Sequence, residues 1–269
     1  MVLDKLRLDG KVAIVTGGGT GLGKAMALAM AEAGADIVVA GRRPGPIQAT
    51  VEQVKALGHR GLAIPTDVTD SSQVNALVTR TIQELGKVDI MINNAGRGGV
   101  AAGKALWEIT DAEWHQGIDA DATGTFYCTR AVARHMVDRK SGTIINVASG
   151  SGMRGQRGNF MYGAAKAAVI LFTKSLAITL ADDNIRAHCI VPGYFLEYDP
   201  TTDEEWQQLR DRGRFTPVGR IGYASEVGPL AVFLASDAAS YMTGQVVCMD
   251  GGGLAGGIAP IQLAPTVPL

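Results

Sequence analysis

Val12-Ala13-Ile14-Val15-Thr16-Gly17-Gly18-Gly19-Thr20-Gly21-Leu22-Gly23 is the stretch whose reading decides the fold. Val12 to Val15 is a short, unbroken apolar run with the length and β-branched content of a buried strand. It runs into glycines and then into Leu22 to Ala33, which reads as a helix closed by Gly34, where helices commonly end. A glycine turn between a first strand and a first helix lets backbone approach a pyrophosphate closely. The helix behind it offers unpaired N–H groups and the positive end of its dipole. An ordinary glycine turn without a ligand is the plainer reading, and the direct join of strand to helix speaks against it.

The same alternation continues along the chain. Ile37 to Ala40, Leu62 to Ile64, Val88 to Ile92, Thr143 to Val147, Ile185 to Val191 and Gln245 to Met249 read as further strands. Between them Ile47 to Leu57, Ser71 to Leu85, one helical stretch from near Asp111 through Arg139, the Tyr162 helix and Glu226 to Ala235 read as helices. Repeated strand–helix units with near-continuous apolar strands predict an α/β fold, a doubly wound parallel sheet (Rossmann fold) with helices on both faces. No linker or shift in composition precedes Gly251, so residues 1–269 are expected to form a single domain. The Gly/Pro-rich tail from Gly252 to Leu269 is left either free or packed on a neighbouring subunit.

The 269 residues are 46% hydrophobic with 35 glycines, enough to bury a full core with many tight turns. A net charge of −1 and the lack of a dense Lys/Arg run predict no nucleic-acid partner. Three scattered cysteines (Cys128, Cys189, Cys248) in apolar runs argue for reduced thiols, and His59, His115, His135 and His188 lack metal-ligand spacing. Met1 to Lys11 has no apolar signal segment, and Ala164 to Ala181 is interrupted by Lys166 and Lys174. The expectation is a soluble, cytoplasmic protein without a membrane span.

Tyr162 and Lys166 stand four residues apart in Tyr162-Gly163-Ala164-Ala165-Lys166. On a helix they share one face. A fixed ammonium beside a phenol favours phenolate, moving a group that alone titrates near ~10 toward acid/base use at neutral pH. Alone, such spacing is more often a packed tyrosine with a solvated lysine one turn on. The company it keeps is specific. The turn fits T-G-x-x-x-G-x-G through Thr16, Gly17, Gly21 and Gly23. Asp67-Val68 follows the third strand, Asn93-Asn94-Ala95-Gly96 the fourth, Ser149 the fifth and Pro192-Gly193 the sixth. With Phe233-Leu234-Ala235-Ser236-Asp237 and Asp250-Gly251-Gly252, this ordered set resembles the classical short-chain dehydrogenase/reductase family from about Leu8 to Gly252.

That resemblance implies a reversible reduction of a ketone or aldehyde to an alcohol with a nicotinamide cofactor. It makes Tyr162 the general acid/base, Lys166 the residue that lowers the phenol pKa and holds the nicotinamide ribose, and Ser149 the hydrogen-bond donor to the substrate oxygen. Asp121, in Asp121-Ala122-Thr123-Gly124-Thr125-Phe126, falls where the family usually has an Asn whose main-chain carbonyl holds a relay water; it is expected to belong to that relay, and its carboxylate either leaves the carbonyl in place or draws the Lys166 ammonium and shifts the relay. Gly17, Thr20, Gly21, Leu22 and Gly23 are expected to cradle the pyrophosphate, and Asp67 and Val68 to flank the adenine. Asn94 and Gly96 are expected to line the cofactor, and Pro192 and Gly193 to wall the nicotinamide. Glu197 occupies the place of a family Thr that holds the carboxamide, which leaves the backbone near Phe195 for that task.

After the second strand stands Gly41-Arg42-Arg43, with no carboxylate for a ribose 2′-OH. Guanidinium groups suit a 2′-phosphate, so NADP(H) is expected over NAD(H), with Arg42 the main contact and Arg43 the lesser. The segment 194–216 is expected to cover the substrate, and its Tyr194, Phe195, Tyr198 and Trp206 suggest a mostly apolar pocket. Arg154 and Arg157, between Ser149 and Tyr162, either meet an acidic substrate group or are solvated. A Tyr162 helix that is apolar around most of its circumference predicts a twin across a two-fold axis and a homotetramer. For the small-molecule carbonyl or alcohol substrate, 3-oxoacyl-[acyl-carrier-protein] reduction and sugar or polyol oxidation are the alternatives. A cofactor-sensing protein of the same fold would be expected to have lost the Tyr/Lys pair.

Overall fold

A computed structural model describes residues 1–256. Seven parallel strands form one sheet in the order β3-β2-β1-β4-β5-β6-β7. They are β1 Val12–Thr16, β2 Asp36–Gly41, β3 Gly61–Pro65, β4 Ile90–Asn93, β5 Gly142–Val147, β6 Ile185–Pro192 and β7 Val246–Met249. The order reverses between β1 and β4, which opens a crevice beyond their C-terminal ends. The expected α/β doubly wound sheet is the one found.

The helices cover the two faces by simple alternation along the strands. Ala13 and Val15 of β1 and Ile37 and Val39 of β2 point to one layer. There they meet Met26 and Met30 of α1 (Gly21–Glu32), Ile47 and Val51 of α2 (Pro44–Ala56), and Leu234 of α8 (Val227–Ala235). Val12 and Ile14 of β1 and Val38 of β2 point to the other. They pack on Leu77 of α3 (Ser71–Leu85), Val132 and Met136 of α5 (Gly124–Arg139), and Ala177 of α6 (Phe160–Thr179). Each Val, Ile, Leu or Met among these, fully buried, contributes roughly 1.5–3 kcal/mol. Helix ends follow local chemistry. Asp70 caps α3 by accepting from the N–H groups of Ser72 and Gln73. The Ser72 hydroxyl first, then the Gln73 side-chain amide and these N–H groups, hold its carboxyl down to about 2. Gly86 closes α3 at φ 86°, a left-handed conformation that suits glycine.

The single helix expected from Asp111 through Arg139 is divided. α4 (Asp111–Ile118) passes into a π-helical turn, Asp119–Thr123, before α5 begins. A π turn inserts extra backbone into a continuous helix and re-aims the side chains on it. Periodicity in sequence does not register it, because the apolar stripe resumes on the far side. Asp121 lies in this turn.

α6 is long and apolar enough to cross a membrane by length and hydropathy alone. Here Met161, Val169 and Ala177 are buried, while Leu171 is 66% and Ile178 82% exposed. Phe126 of α5 stands edge-on to Phe172 of α6, with ring centroids 6.3 Å apart, so the exposed apolar face spans both helices. α7 (Asp203–Gly213) follows β6, and α9 (Gly253–Gly256) ends the described chain. The rest of the expected tail, 257–269, lies outside the described residues.

Candidate active site

The first strand ends in a turn whose shape only glycine permits. Gly17 has φ +65°, and a methyl group there would lie 2.8 Å from Asn94 Nδ2. A methyl at Gly23 would collide with Gly17 O and Asn94 Nδ2, so α1 can approach β1 this closely only without a Cβ. Thr20 stands at the N-cap of α1 but makes no capping hydrogen bond, which leaves the first N–H groups of the helix open. Gly17, Thr20 and Leu22 face a cleft of about 810 Å³. Gly21 and Gly23 lie behind that surface. These features fit a bound pyrophosphate.

Asn94 serves the scaffold as well as the cleft. Its Nδ2 donates to Thr16 O at 3.0 Å, and its N–H to Thr16 Oγ1 at 3.0 Å. The Thr16 hydroxyl donates onward to Ile92 O at 3.2 Å. β1 and β4 are thus stitched together where they part to form the crevice. Asp67 and Val68 line the cleft beyond β3. The Asp67 carboxylate accepts from the N–H and hydroxyl of Thr69, at 3.0 and 2.8 Å, which fixes the turn. Arg42 and Arg43 also line the cleft, exposed and with no ion pair among the described residues.

At the other end of the same cleft the catalytic candidates converge. Lys166 is buried on α6, and its Nζ donates to Val147 O at 2.9 Å. Its Nζ also stands 5.6 Å from the Tyr162 ring centroid. The π turn brings Asp121 Oδ1 to 2.9 Å from Lys166 Nζ, in an ion pair whose two side chains are 5% and 0% exposed. Asp121 Oδ2 accepts from the Arg97 N–H at 3.1 Å, and its main-chain carbonyl accepts from the Thr125 hydroxyl at 2.7 Å. Gly96 is kept small by this pair, since a methyl there would collide with Asp121 Oδ1. Ser149 leaves β5 and accepts from the Ser151 N–H at 3.2 Å.

A second cavity of about 270 Å³ adjoins the first. Ser149, Tyr162, Pro192 and Gly193 line both, so they mark the junction. Tyr194 and Phe215, stacked edge-on at 5.0 Å, form one wall of the smaller cavity. The expected apolar character is not what the lining shows. Trp206 instead stacks on Tyr223 at 5.5 Å, Phe195 faces the large cleft, and Tyr198 lines neither cavity. Ser151, Arg154, Gln156, Asn159, Thr216 and Asp250 supply polar groups in their place. Among the described residues no cluster of His, Cys, Asp or Glu has the arrangement of a metal site. Burial pushes the Cys128 thiol up to about 12 and the Cys189 thiol up to about 11, so neither is a ready nucleophile.

A model of the short chain dehydrogenase family matches residues 11–208. The chain belongs to that family. It is 35% identical to the 3-oxoacyl-[acyl-carrier-protein] reductase FabG of Thermotoga maritima, over 92% of this chain and 99% of that protein. Among solved structures it resembles a gluconate 5-dehydrogenase from Burkholderia cenocepacia J2315 in complex with NADP and tartrate. That match has a TM-score of 0.84 and 33% identity, and covers 95% of this chain and 99% of the other. It also resembles a 7α-hydroxysteroid dehydrogenase complexed with NADH and 7-oxo glycochenodeoxycholic acid, with a TM-score of 0.84 and 32% identity over 93% and 96% of the two chains. This short-chain dehydrogenase is therefore an oxidoreductase, and its relatives include both NADP and NADH complexes.

Its two departures from the family pattern have a visible geometry. Asp121 is not a passive substitute for Asn, because its carboxylate faces the Lys166 ammonium directly. Glu197 lies beside the glycine turn: a methyl at Gly21 would stand 3.5 Å from Glu197 Cβ and Cγ. Phe195 pairs with Gly222 in a short parallel bridge, and the Leu196 N–H donates to Gly222 O at 2.8 Å, which fixes the backbone beside the cleft. Sequence reading missed Val147 O, the Arg97 N–H and the Glu197 contact. The first two are main-chain atoms, and residue identity carries no signal for them.

Proposed function

We propose that this chain reduces a small ketone or aldehyde to the alcohol, reversibly, with NADP(H) preferred over NAD(H) and Tyr162 as general acid/base. The observation that carries the proposal is the position of Ser149 and Tyr162 at the junction of a large cleft with a phosphate cradle and a smaller cavity. When bound, a reduced nicotinamide supplies the hydride that goes to the carbonyl carbon. Tyr162 gives its phenolic proton to the carbonyl oxygen, and Ser149 donates a hydrogen bond to the same oxygen. Lys166, anchored on Val147 O and faced by Asp121, holds a positive charge beside the tyrosine ring and offers its remaining donor to the cofactor ribose.

Arg42 and Arg43, exposed and unpaired beside the end of β2, support the 2′-phosphate assignment. Gly17, Thr20, Gly21, Leu22 and Gly23 are assigned to the pyrophosphate, and Asp67 and Val68 to the adenine end. Asn94 and Gly96 are assigned to the middle of the cofactor, and Pro192, Gly193 and Phe195 to the nicotinamide. Three free thiols go with a reducing, cytoplasmic setting.

Nicotinamide absorbance at matched NADPH and NADH, over a panel of ketones, aldehydes and alcohols, tests the reading. We expect faster turnover with NADPH, and Tyr162→Phe to lower kcat about 10²- to 10⁴-fold with cofactor binding retained. Near-full activity in Tyr162→Phe sinks the mechanism, and a clear NADH preference sinks the Arg42 assignment. The exposed apolar face across α5 and α6 supports a homotetramer. Sedimentation velocity at micromolar concentration is expected to give four copies, and a monomer there rules it out.

A further inference from the structure

We infer that the smaller cavity is built for the carboxylate of a small keto or hydroxy acid, with Arg154 as the residue that selects it. This rests on the reading of Ser149 and Tyr162 as the reacting end of that cavity. The polar groups facing the cavity differ in whether they already have partners.

Most of them do. The Thr216 hydroxyl lies 2.8 Å from Gly213 O and 2.9 Å from Arg220 O. Asp250 accepts the Gly252 N–H at 3.0 Å and the Leu254 N–H at 2.7 Å, one on each carboxylate oxygen. Gln156 Oε1 accepts from the Ser151 hydroxyl at 2.6 Å and from Asn159 Nδ2 at 3.2 Å. With its oxygen held from two sides, the Gln156 amide leaves Nε2 as a donor. The Arg154 guanidinium has no hydrogen bond or ion pair among the described residues, and Arg154 is the one cation lining this cavity. Arg157, three residues on, does not line it. What remains is a planar, permanently charged fork with an amide donor close by in sequence. That chemistry suits a carboxylate, which takes two parallel N–H bonds from one guanidinium.

Size and charge narrow the class. About 270 Å³ is below the usual range for drug-sized ligands and suits a short acid. A phosphate dianion calls for a second cation, which this lining does not supply. Ser149 and Tyr162 line the junction with the larger cleft and Arg154 lines only the smaller cavity, so the carboxylate is assigned to a carbon other than the one that reacts.

The test compares 4-oxopentanoate and 4-oxocyclohexanecarboxylate with their methyl esters, on enzyme saturated with NADP⁺, by titration calorimetry. The acids are expected to bind about 10- to 100-fold more tightly than the esters, by analogy with other charge-assisted hydrogen bonds. Raising the salt concentration should narrow the gap, since the site is open to solvent. Arg154→Gln should bring each acid to the level of its ester and leave the esters unchanged, while Arg157→Gln keeps the preference. Acid and ester binding within roughly twofold, or a preference that survives Arg154→Gln, overturns the inference. Binding needs no turnover. If acids bind through Arg154 but no carbonyl compound oxidises NADPH, the subsite stands and the carbonyl-reduction reading falls.

Discussion

The two halves of the sheet do different work with different materials. On the β3-β2-β1 side, the strands β1 and β2 bury mainly Val, Ile and Ala, and the turn from β1 into α1 meets the cleft with backbone: glycines and the open N-terminus of α1. On the β4-β5-β6 side, the interior carries polar side chains. Asn93 Nδ2 donates to Asn146 Oδ1 at 2.8 Å and to the Thr129 hydroxyl at 3.0 Å, and Asn146 Nδ2 continues to the Thr173 hydroxyl at 2.9 Å. On β6, His188 is fully buried, 2.9 Å from the Arg186 guanidinium. A site made of backbone needs space and a helix end. A site made of side chains needs buried polar groups, and among the described residues Asn93 Oδ1 and His188 Nδ1 are buried without a hydrogen-bond partner, so stability there depends on pH or on a single atom.

Filling the backbone site should show the largest effect. Gly23→Val places a branched side chain against Gly17 O and Asn94 Nδ2, both held by the β1–β4 stitching. Cofactor binding measured by nicotinamide fluorescence should fall by more than about 100-fold, and thermal stability should drop with it, since overpacking costs about 1–3 kcal/mol. Wild-type affinity in this variant breaks the claim that the first half binds through close backbone approach.

The buried histidine sharpens the comparison from the other side. Burial, and then the Arg186 charge, bring His188 down to about 4 from its ordinary 6.5. Between those values the unfolded chain binds a proton that the folded chain refuses, so stability is full above pH 6.5 and is lost as pH falls toward 4. The loss is about 3 kcal/mol at the bottom of this window. The acid-side group Glu113, held down to about 2 chiefly by its Lys104 hydrogen bond, acts mainly at lower pH. Urea midpoints measured across pH 4–6.5 should fall in the wild type and flatten in His188→Gln. A wild-type midpoint that is constant over this range removes the histidine from the account.

The smallest expected effect lies where the two halves meet. Glu197, carried by the loop after β6, sets a carboxylate beside Gly21 in the glycine turn. Glu197→Gln removes a like charge from the region assigned to pyrophosphate and should tighten NADPH binding a few-fold at low salt, with less effect at high salt. Weaker binding in this variant would mean that Glu197 serves the cofactor instead of opposing it.

How far each feature was legible follows from how local its cause is. The strands, most helices and the cradle were readable because short β-branched apolar runs, helical spacing and glycine at a strand–helix join are properties of neighbouring residues. Tyr162, Lys166 and Ser149 were readable as an ordered set. The π turn at Asp119–Thr123 was not, since it leaves the apolar stripe intact on either side. Nor was the choice between Arg154 and Arg157, two similar residues on one loop, because it depends on which way that loop turns over Phe215 and Leu254.

The sequence by itself determined the sheet, its winding and the order of the chemical groups along the chain. Those follow from short-range periodicity and from the few conformations open to glycine and to helix ends. Only the tertiary structure decided that Asp121 faces Lys166 within a buried ion pair, that Glu197 lies beside the glycine turn, and that Arg154 turns into the smaller cavity while Arg157 does not. Each of these joins residues from separate elements, and their distance is set by how the helices and loops pack on the sheet.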